Sequence, residues 1–286
     1  MKGQHHTQVF WLLLATLFIS TSGALGKFIA MPTPVTIWWR SALAGVFLLI
    51  YCLIKGISLK LNEPKDRWPF FLSAFFMGAH WVTYFYSLQI SNVAIGMLSL
   101  FTFPIITSVL EPAFTKTKFD PFYLPLGALI LFGVYLLAPE FSLENDDFKG
   151  ILLGLLSALC YALRTLILKQ HVSNYNGTAL MFFQVLILSV LLLPALFFMD
   201  SSGIVIQYPY ILILALLTTA IGHTMFVSSL RYFKVTTASI IASAQPIFGI
   251  IIAFLFLNEI PATNTYIGGA IILTTVLIES LRSRKV

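Results

Sequence analysis

Ionisable side chains interrupt several long apolar runs of this sequence. His80 and Tyr84 are four residues apart, so they share one face if their run is helical. His223 follows Thr219 at the same spacing. A histidine ring and a phenol can hydrogen-bond a polar solute, and the histidine can carry a proton. The alternative interpretation is that neighbouring helices satisfy both histidines and that they serve packing.

Further polar residues lie in the same kind of run. Arg164 follows Tyr161 by three residues, and Gln245 directly precedes Pro246. A guanidinium or an amide can bind a carboxylate, but an arginine can also extend to solvent, and an amide can bond to a carbonyl that a proline leaves free. Small residues such as Ser99 are more often contacts between helices than ligands. The residues predicted to line a substrate-binding cavity are His80, Tyr84, Ser99, Phe103, Tyr161, Arg164, His223 and Gln245.

Glu111 and Arg40 are the remaining charged candidates. Glu111 is the only acid well inside an apolar run, and it could pair with a basic group such as Arg164 or close an inner gate. Arg40 follows Trp38 and Trp39, whose rings are typical of a membrane interface. It either extends outward or holds helix ends together from within. We predict that Glu111 and Arg40 are gate or ion-pair residues.

The residue types do not favour catalysis or metal binding. The apolar runs contain no paired acids, no HExxH and no GxSxG, and the chain has no phosphate-binding P-loop. Cys52 and Cys160 each lack a second ligand at metal-binding spacing, so they are predicted to pack as small apolar residues. We predict no catalytic residue, no metal and no cofactor, and we keep an intramembrane enzyme as an alternative.

The elements that carry these residues are predicted to be membrane-spanning helices. Of the 286 residues, 58% are hydrophobic and only 10% are charged, whereas a soluble domain has about 25% charged residues. The runs are long enough to cross a bilayer as helices, and they do not alternate as barrel strands do. Ten spans are predicted, at 9–30, 34–54, 68–89, 92–114, 121–138, 150–170, 178–199, 208–230, 235–257 and 263–281.

The basic residues predict the orientation of these spans. With both termini in the cytoplasm, all of the 17 Lys and Arg except Lys27, Arg40 and Lys149 lie on the cytoplasmic side. The net charge of +6 is then explained by membrane orientation, and no nucleic-acid partner is predicted. The first span has no small-residue cleavage site, so we expect it to remain as a helix.

The two halves of the chain match at a constant offset of 142 residues. Pro104 and Pro246 are separated by this offset, and each is followed by isoleucine. Lys27 matches Lys169 in the same way. Longer matches include GALILFGV at 127–134 with GAIILTTV at 269–276. Because Pro, Gly and Lys coincide as well as leucines, the offset indicates an internal duplication.

A duplication of five spans inverts the second copy, because five is odd. We therefore predict an all-α membrane protein with ten transmembrane helices in two inverted five-helix repeats, at 1–141 and 142–286. A proline removes one backbone hydrogen bond, and membrane helices tolerate this next to other helices or a wet cavity. Pro104 and Pro246 are predicted to be hinges beside a central cavity. Static kinks that only shape the packing are the alternative.

The chain resembles the EamA-type members of the drug/metabolite transporter superfamily. The resemblance rests on the two prolines, on FLFLNE ending at Glu259, on WWRSALAGVFLLI in the second helix and on ALCYALRTLILKQ in the sixth. It implies export or exchange of small metabolites, often amino acids, through a central cavity. We predict a secondary transporter of the bacterial inner membrane that exports such compounds by alternating access. The two halves of the chain differ at one position of note: the first half has Thr117 where the second half has Glu259. Glu259 is expected to be exposed at the outer end of its helix.

The predicted partners are a small-molecule substrate and the lipid bilayer. The aromatic and polar candidates suit a zwitterionic or amphipathic metabolite such as an amino acid, with an exporter of lipophilic drugs as the alternative. Coupling stays open: His80, His223 or Glu111 carries a proton, or the substrate moves by uncoupled facilitated diffusion. One chain already contains a two-fold unit, so a monomer is sufficient, and the oligomeric state stays open.

Overall fold

The computed structural model describes residues 2–114, 120–137, 140 and 142–283. In these ranges the chain is a bundle of helices without β-strands. Its helices are α1 (Lys2–Phe28), α2 (Thr33–Lys55), α3 (Arg67–Ile90), α4 (Val93–Leu100), α5 (Phe103–Phe114), α6 (Tyr123–Leu137), α7 (Asp146–Lys169), α8 (Gly177–Leu192), α9 (Ala195–Phe198), α10 (Ile204–Ile213), α11 (Thr224–Ser229), α12 (Val235–Ala242), α13 (Gln245–Leu257) and α14 (Thr263–Ser283). A 3₁₀ turn at Pro64–Asp66 precedes α3, and a π-helical segment, Leu214–His223, joins α10 to α11.

Six segments of the described chain are long and apolar enough to cross a membrane. They are Thr7–Phe28, Thr33–Lys55, Val93–Phe114, Asp146–Lys169, Gly177–Phe198 and Ile204–Ser229. The helices Tyr123–Leu137 and Gln245–Leu257 are apolar but shorter. Six spans already make this a multi-pass membrane protein.

The surface and the interior of the bundle have the polarity expected of a protein in lipid. Large apolar side chains face outward, such as Leu131, Ile54 and Phe198, which is 87% exposed. Polar side chains such as Arg40 and Arg164 are fully buried instead. This arrangement is the reverse of a soluble protein, in which charged residues are almost never fully buried unless paired.

Short asparagine caps begin three of the helices. Asn92 Oδ1 accepts a hydrogen bond from the N–H of Ile95 at the start of α4. The side chains of Asn145 and Asn176 cap α7 and α8 in the same way. Such caps satisfy N–H groups that have no partner within the helix. They let the chain reverse direction within a few residues.

Both prolines that the repeat pairs lie at helix breaks. The chain leaves α4 after Leu100 and re-enters a helix at α5, whose second residue is Pro104. It leaves α12 after Ala242 and re-enters at α13, whose second residue is Pro246. A proline fits the first turn of a helix because its missing N–H would have no partner there. The breaks predicted from the prolines are therefore present at equivalent positions.

Two half-buried lysines close the ends of other helices. Lys27 Nζ donates to the carbonyls of Gln89 at 3.1 Å and Ser91 at 2.6 Å, at the end of α3. Lys169 Nζ donates to the carbonyls of Leu230 and Phe233 just after α11, at 2.7 and 2.9 Å. The last carbonyls of a helix have no intrahelical donor, and a cation there also interacts favourably with the helix dipole.

Glu259 lies at the end of the bundle that also contains Ser91, and the expectation that it is exposed is wrong. It is half-buried, and its Oε2 accepts a hydrogen bond from the N–H of Val93 at 2.9 Å. The N–H groups at the start of α4 attract a carboxylate, which explains the contact. Thr117, its counterpart in the repeat, lies outside the described residues.

The opposite end of the bundle is closed by contacts around Asp66. The hydroxyl of Tyr175 donates to Asp66 and accepts from the N–H of Asn62 at 2.8 Å. His171 Nδ1 lies 3.7 Å from the Asp66 carboxylate. Burial lowers the pKa of His171, and the charge of Asp66 opposes this effect. Arg231 donates to the carbonyl of Val172 at 3.0 Å and ties a further connection to this end.

Glycine makes the contact between α6 and α14 possible. A Cβ at Gly268 would lie 2.6 Å from the backbone oxygen of Gly133, closer than real Cβ atoms approach. We predict that Gly268→Ala separates the two helices and lowers the thermal denaturation temperature in detergent. Gly127→Ala on α6 is the matched control, because a Cβ at Gly127 would have nothing within 4 Å of it. Equal denaturation temperatures for the two variants would contradict the close packing.

Candidate functional site

A cavity lies inside the bundle, next to both helix breaks. Its walls come from α1, α2, α3, α7, the π-helical segment, the turn between α4 and α5, and the start of α13. The free space is about 10 Å³, roughly what one water molecule needs. Of the residues predicted to line a cavity, it is lined by His80, Tyr84, Tyr161, His223 and Gln245.

Arg40 also lines this cavity, and it does not extend to a membrane interface. Its guanidinium carbon lies 3.7 Å from the centre of the Trp81 ring, and Nε donates to Thr219 Oγ1 at 2.6 Å. Its Nη2 is buried without a hydrogen-bond partner. The side chain is 1% exposed. The guanidinium of Arg40 is therefore held by a hydrogen bond at Nε and by the Trp81 ring on one face. Its Nη2 remains a donor without an acceptor.

Trp38 and Trp39 do not form a simple interfacial pair. Trp38 Nε1 donates to the carbonyl of Ser189 on α8 at 2.9 Å, and Trp39 packs against the main core. Both tryptophans therefore help to join α2 to its neighbours. This packing explains how Arg40, the next residue, is directed into the bundle.

Arg164 lies behind the cavity wall. Its Nη2 donates to Gln184 Oε1 at 2.7 Å, and its Nε contacts the same oxygen at 3.3 Å. Its Nη1 has no partner, and the side chain is fully buried. The guanidinium lies 5.8 Å from the ring centre of Tyr161, which separates it from the cavity. The prediction that Arg164 lines the cavity is therefore wrong, because Tyr161 lies between its guanidinium and the cavity.

Neither arginine has an acidic partner among the described residues. No carboxylate of these residues lies within 4.0 Å of Arg40 or Arg164. Placing an arginine at the centre of a membrane helix costs roughly 2.5–3.5 kcal/mol on insertion scales. The Trp81 ring offsets part of this cost for Arg40, since a desolvated cation–π contact is worth about 2 kcal/mol. Two positive charges remain without an opposite charge.

His80 is fixed by Ser157 on α7. Ser157 Oγ donates its only hydrogen to the backbone oxygen of His80 at 2.9 Å. The 2.7 Å contact between the same Oγ and His80 Nδ1 must then be donated by the ring. In a neutral imidazole this leaves Nε2 as a hydrogen-bond acceptor. Tyr161 packs against the ring at 4.6 Å between centroids.

The π-helical segment positions Thr219 and His223. Thr219 Oγ1 donates to the carbonyl of Leu214, five residues earlier, and accepts from Arg40. His223 packs on Trp81 with 5.3 Å between ring centroids, and its Nδ1 is buried without a partner. Wider turns of this kind are frequent at functional sites. Nothing in the sequence pattern predicted this segment.

Besides Arg164, two more of the residues predicted for the cavity, Ser99 and Phe103, lie outside its lining. Ser99 packs closely against Gly154, so it brings α4 and α7 together. Phe103 lies behind Tyr161, with ring centroids 4.6 Å apart and the planes nearly perpendicular. Both side chains are buried. They support the wall of the cavity from behind.

Glu111 lies away from the cavity, on α5. Its charge acts on Lys169 near the end of α7, and Arg164 bonds to Gln184 instead. Polar residues near the cavity that were missing from the predicted set include Ser22, Ser157 and Gln184. Their partners lie on other helices, so no local spacing in the sequence could have identified them.

A family model matches almost the whole chain. The model of the EamA-like transporter family aligns with residues 6–138 and again with residues 148–281. The resemblance inferred from the paired prolines and helix motifs is confirmed by this match.

Several curated relatives are similar over most of their length. An uncharacterized transporter of Bacillus subtilis (strain 168), YwfM, is 25% identical over 100% of this chain and 97% of its own. An S-adenosylmethionine uptake transporter of Rickettsia conorii is 22% identical over 95% of this chain and 91% of its own. A protein crystal structure superposes with a TM-score of 0.71 at 16% identity, covering 98% of both chains, which supports the fold alone.

The contact between Arg164 and Gln184 predicts a specific pattern of stabilities. Gln184→Leu removes both oxygen contacts of a buried cation, so we expect it to lower the free energy of unfolding by about 2 kcal/mol. Adding Arg164→Met to it should restore most of this loss, because the charge is then also gone. Thermal denaturation in detergent measures both variants. A double variant less stable than Gln184→Leu would contradict this account.

Proposed function

Because the chain belongs to the EamA-like transporter family, we propose that it is a secondary transporter that moves a small metabolite by alternating access through the cavity beside Arg40. The observation that carries this proposal is a small cavity lined by polar and aromatic side chains inside an apolar bundle, next to two helix breaks. Both the family and the transporter names of the relatives point to transport and not to an enzyme.

We propose ten transmembrane helices in two inverted repeats, at 1–141 and 142–286. Four more membrane crossings, by α3, α6, α12 with α13, and α14, complete the six apolar spans. The helix packing supports this arrangement, because α2 packs on α8 and α6 packs on α14. In each pair, the two helices hold equivalent positions in the two repeats. The contact of α3 with α7 likewise corresponds to that of the π-helical segment with α1.

Equivalent residues of the proposed repeats support a two-fold axis through the cavity. Trp81 and His223 are separated by the repeat offset of 142 residues, and their rings are in contact. Lys27 and Lys169, which differ by the same offset, both bind carbonyls at the ends of equivalent helices. A substrate site between inverted repeats is typical of secondary transporters.

The proposed motion opens one end of the bundle at a time. The contact of Glu259 with Val93 closes one end, and the contact of Tyr175 with Asp66 closes the other. The breaks before Pro104 and Pro246 lie between these ends and beside the cavity. Bending there would separate one set of contacts while the other stays closed. Glu111 and Lys169, whose charges interact, lie on the two helices α5 and α7 that would separate.

We propose an amino acid or related amphipathic compound as substrate, with export as the direction. The aromatic and polar lining suits the apolar and polar parts of such a compound. The R. conorii relative is named for uptake of S-adenosylmethionine, so this compound, a net cation, is included in the test. A lipophilic-drug exporter is the alternative class. For localisation we propose the bacterial inner membrane with both termini in the cytoplasm, which the distribution of Lys and Arg supports. Proton coupling and a monomeric state are part of the same proposal.

Transport by purified protein in proteoliposomes tests this function. Efflux of a labelled amino-acid mixture and of labelled S-adenosylmethionine is measured with and without a pH gradient. We expect efflux of at least one compound, and we expect Gln245→Ala and His80→Ala to abolish it because both side chains line the cavity. Efflux that follows the pH gradient would establish proton coupling. No efflux of amino acids, S-adenosylmethionine, nucleosides, sugars or lipophilic drugs by well-folded protein would refute the proposal.

The helix breaks make a separate prediction about rate. Pro104→Ala and Pro246→Ala allow helical hydrogen bonds across the breaks, so we expect turnover to fall about tenfold, the effect of roughly 1.4 kcal/mol on a barrier. Substrate affinity should change little. Pro194→Ala is the matched control, because Pro194 lies just after α8 and is outside the cavity lining. Equal turnover in all three variants would show that the kinks only shape the packing.

A further inference from the structure

The polar atoms left without partners around the cavity are mostly hydrogen-bond donors. They include Nη2 of Arg40, Nε1 of Trp81, the hydroxyl of Tyr161 and Nδ1 of His223. A guanidinium and an indole N–H can only donate, and a hydroxyl can donate as well as accept. Buried polar groups without partners are rare in folded proteins. A cluster of them beside one cavity indicates a binding partner rich in acceptors.

The charges around the cavity have one sign. Arg40 and Arg164 are close enough to repel each other, and both act electrostatically on His80 and His223. Arginine keeps its charge in proteins, so it cannot relieve this repulsion by losing a proton. Among the cavity-lining residues of the described chain there is no aspartate or glutamate. The cavity is therefore a site of positive potential surrounded by a low-dielectric bundle.

We propose that the transported substrate carries an anionic group, such as a carboxylate, and that this group binds Arg40. This inference rests on the proposed transport function and narrows its substrate class. Arg40 lines the cavity and its Nη2 has no hydrogen-bond partner, and a guanidinium binds carboxylates with well-defined geometry. Arg164 contributes positive potential from behind Tyr161 without direct contact.

With the remaining cavity groups, the site can also bind a zwitterion, but it does not suit a substrate with a net positive charge. Gln245 and the acceptor nitrogen of His80 can accept a hydrogen bond from a hydroxyl or an ammonium group. Neither of them carries a negative charge. A substrate with a net positive charge would be repelled by both arginines without compensation. An anion or a zwitterion with its carboxylate at Arg40 satisfies the donors and the charge together.

A purely structural role for Arg40 makes a different prediction about stability. A structural cation is satisfied by the protein itself, as Lys27 is by the carbonyls of Gln89 and Ser91. Arg40 has one hydroxyl acceptor and one ring face, and its outer nitrogen has no partner. Replacing a poorly compensated buried charge by an apolar side chain of similar length is often neutral or stabilising. Replacing a well-compensated one is not.

The first experiment measures which solutes reach Trp81 in the full-length protein in detergent. Trp11→Phe and Trp68→Phe remove two exposed tryptophans, and the signal lost on a further Trp81→Phe change defines the Trp81 fluorescence. Iodide, caesium and neutral acrylamide are used as quenchers. We expect iodide to quench Trp81 at least about threefold more effectively than caesium, because a cleft of one charge concentrates counter-ions. Arg40→Gln should abolish most of this difference.

Every outcome of the quenching experiment decides the proposal. Equal quenching by iodide and caesium, or a preference for caesium, would overturn it. An iodide preference that is unchanged in Arg40→Gln would also overturn it. Absence of quenching by all three probes would show that solutes do not reach the site, and the proposal would fail.

The second experiment separates binding from packing through stability. We expect Arg40→Met to leave the thermal denaturation temperature unchanged or raised, and to abolish the iodide preference. Lys27→Met is the control and should lower the denaturation temperature, because two helix-end carbonyls lose their donor. Destabilisation by Arg40→Met equal to that by Lys27→Met would assign Arg40 to the scaffold and overturn the proposal.

Transport distinguishes this inference from the function on which it rests. Uptake of leucine, N-acetylleucine and leucinamide is compared in proteoliposomes. At neutral pH these share one side chain, but leucine is a zwitterion, N-acetylleucine an anion and leucinamide a cation. The proposal predicts that leucinamide, which has no carboxylate, is not carried. Uptake of leucinamide by the unmodified protein would refute the anionic substrate and leave the transport function intact. An iodide preference that depends on Arg40, in a protein that carries no tested compound, would refute transport and leave the anion site intact.

Discussion

Hydrocarbon offers no hydrogen bonds, and this constraint determines most of the interior of the bundle. Serine and threonine hydroxyls bond to carbonyls of their own helices, as Ser20 does to Thr16 and Ser243 to Ser239. Lys27 and Lys169 supply donors where helices end. The helix α4 receives a carboxylate from a distant helix end. At these three helix ends, another part of the chain supplies the missing partner.

Around the cavity, some buried polar groups have no hydrogen-bond partner in the protein. Arg40, Trp81 and His223 are brought together by three helices, and each keeps a polar atom without a partner. A protein in lipid gains no stability from such an arrangement, since an unsatisfied polar group is costly there. The cost is consistent with a site that is satisfied by a substrate. Under the proposed function, stability and substrate binding therefore make opposite demands on these three side chains.

Local features of the fold were predictable from the sequence. The break in α4–α5 and that in α12–α13 follow from Pro104 and Pro246, because a proline acts on its own turn. The helix limits follow from apolar runs and short polar connections. His80 and Tyr84 could be placed on one face, because a helix fixes that relation. The family resemblance needed only residues and their order in the chain.

Relations between helices were not predictable in the same way. Arg164 lies behind Tyr161 because its acceptor, Gln184, is on another helix. Ser99 faces Gly154, and Glu259 reaches the start of α4, through contacts that no spacing along the chain encodes. The π-helical segment widens a turn without proline or glycine marking its start. The direction in which a polar side chain points depends on its neighbours in space, and one sequence does not specify them.

Alternating exposure of the cavity is the central claim, and the reactivity of one engineered cysteine tests it directly. Gln245→Cys, with Cys52 and Cys160 replaced by alanine, is placed in sealed vesicles of both orientations and treated with a membrane-impermeant thiol reagent. The account predicts that Cys at this position reacts from either face, while the reagent does not accumulate inside the vesicles. Reaction from one face only, from neither face, or with leakage of the reagent into the lumen would contradict alternating access.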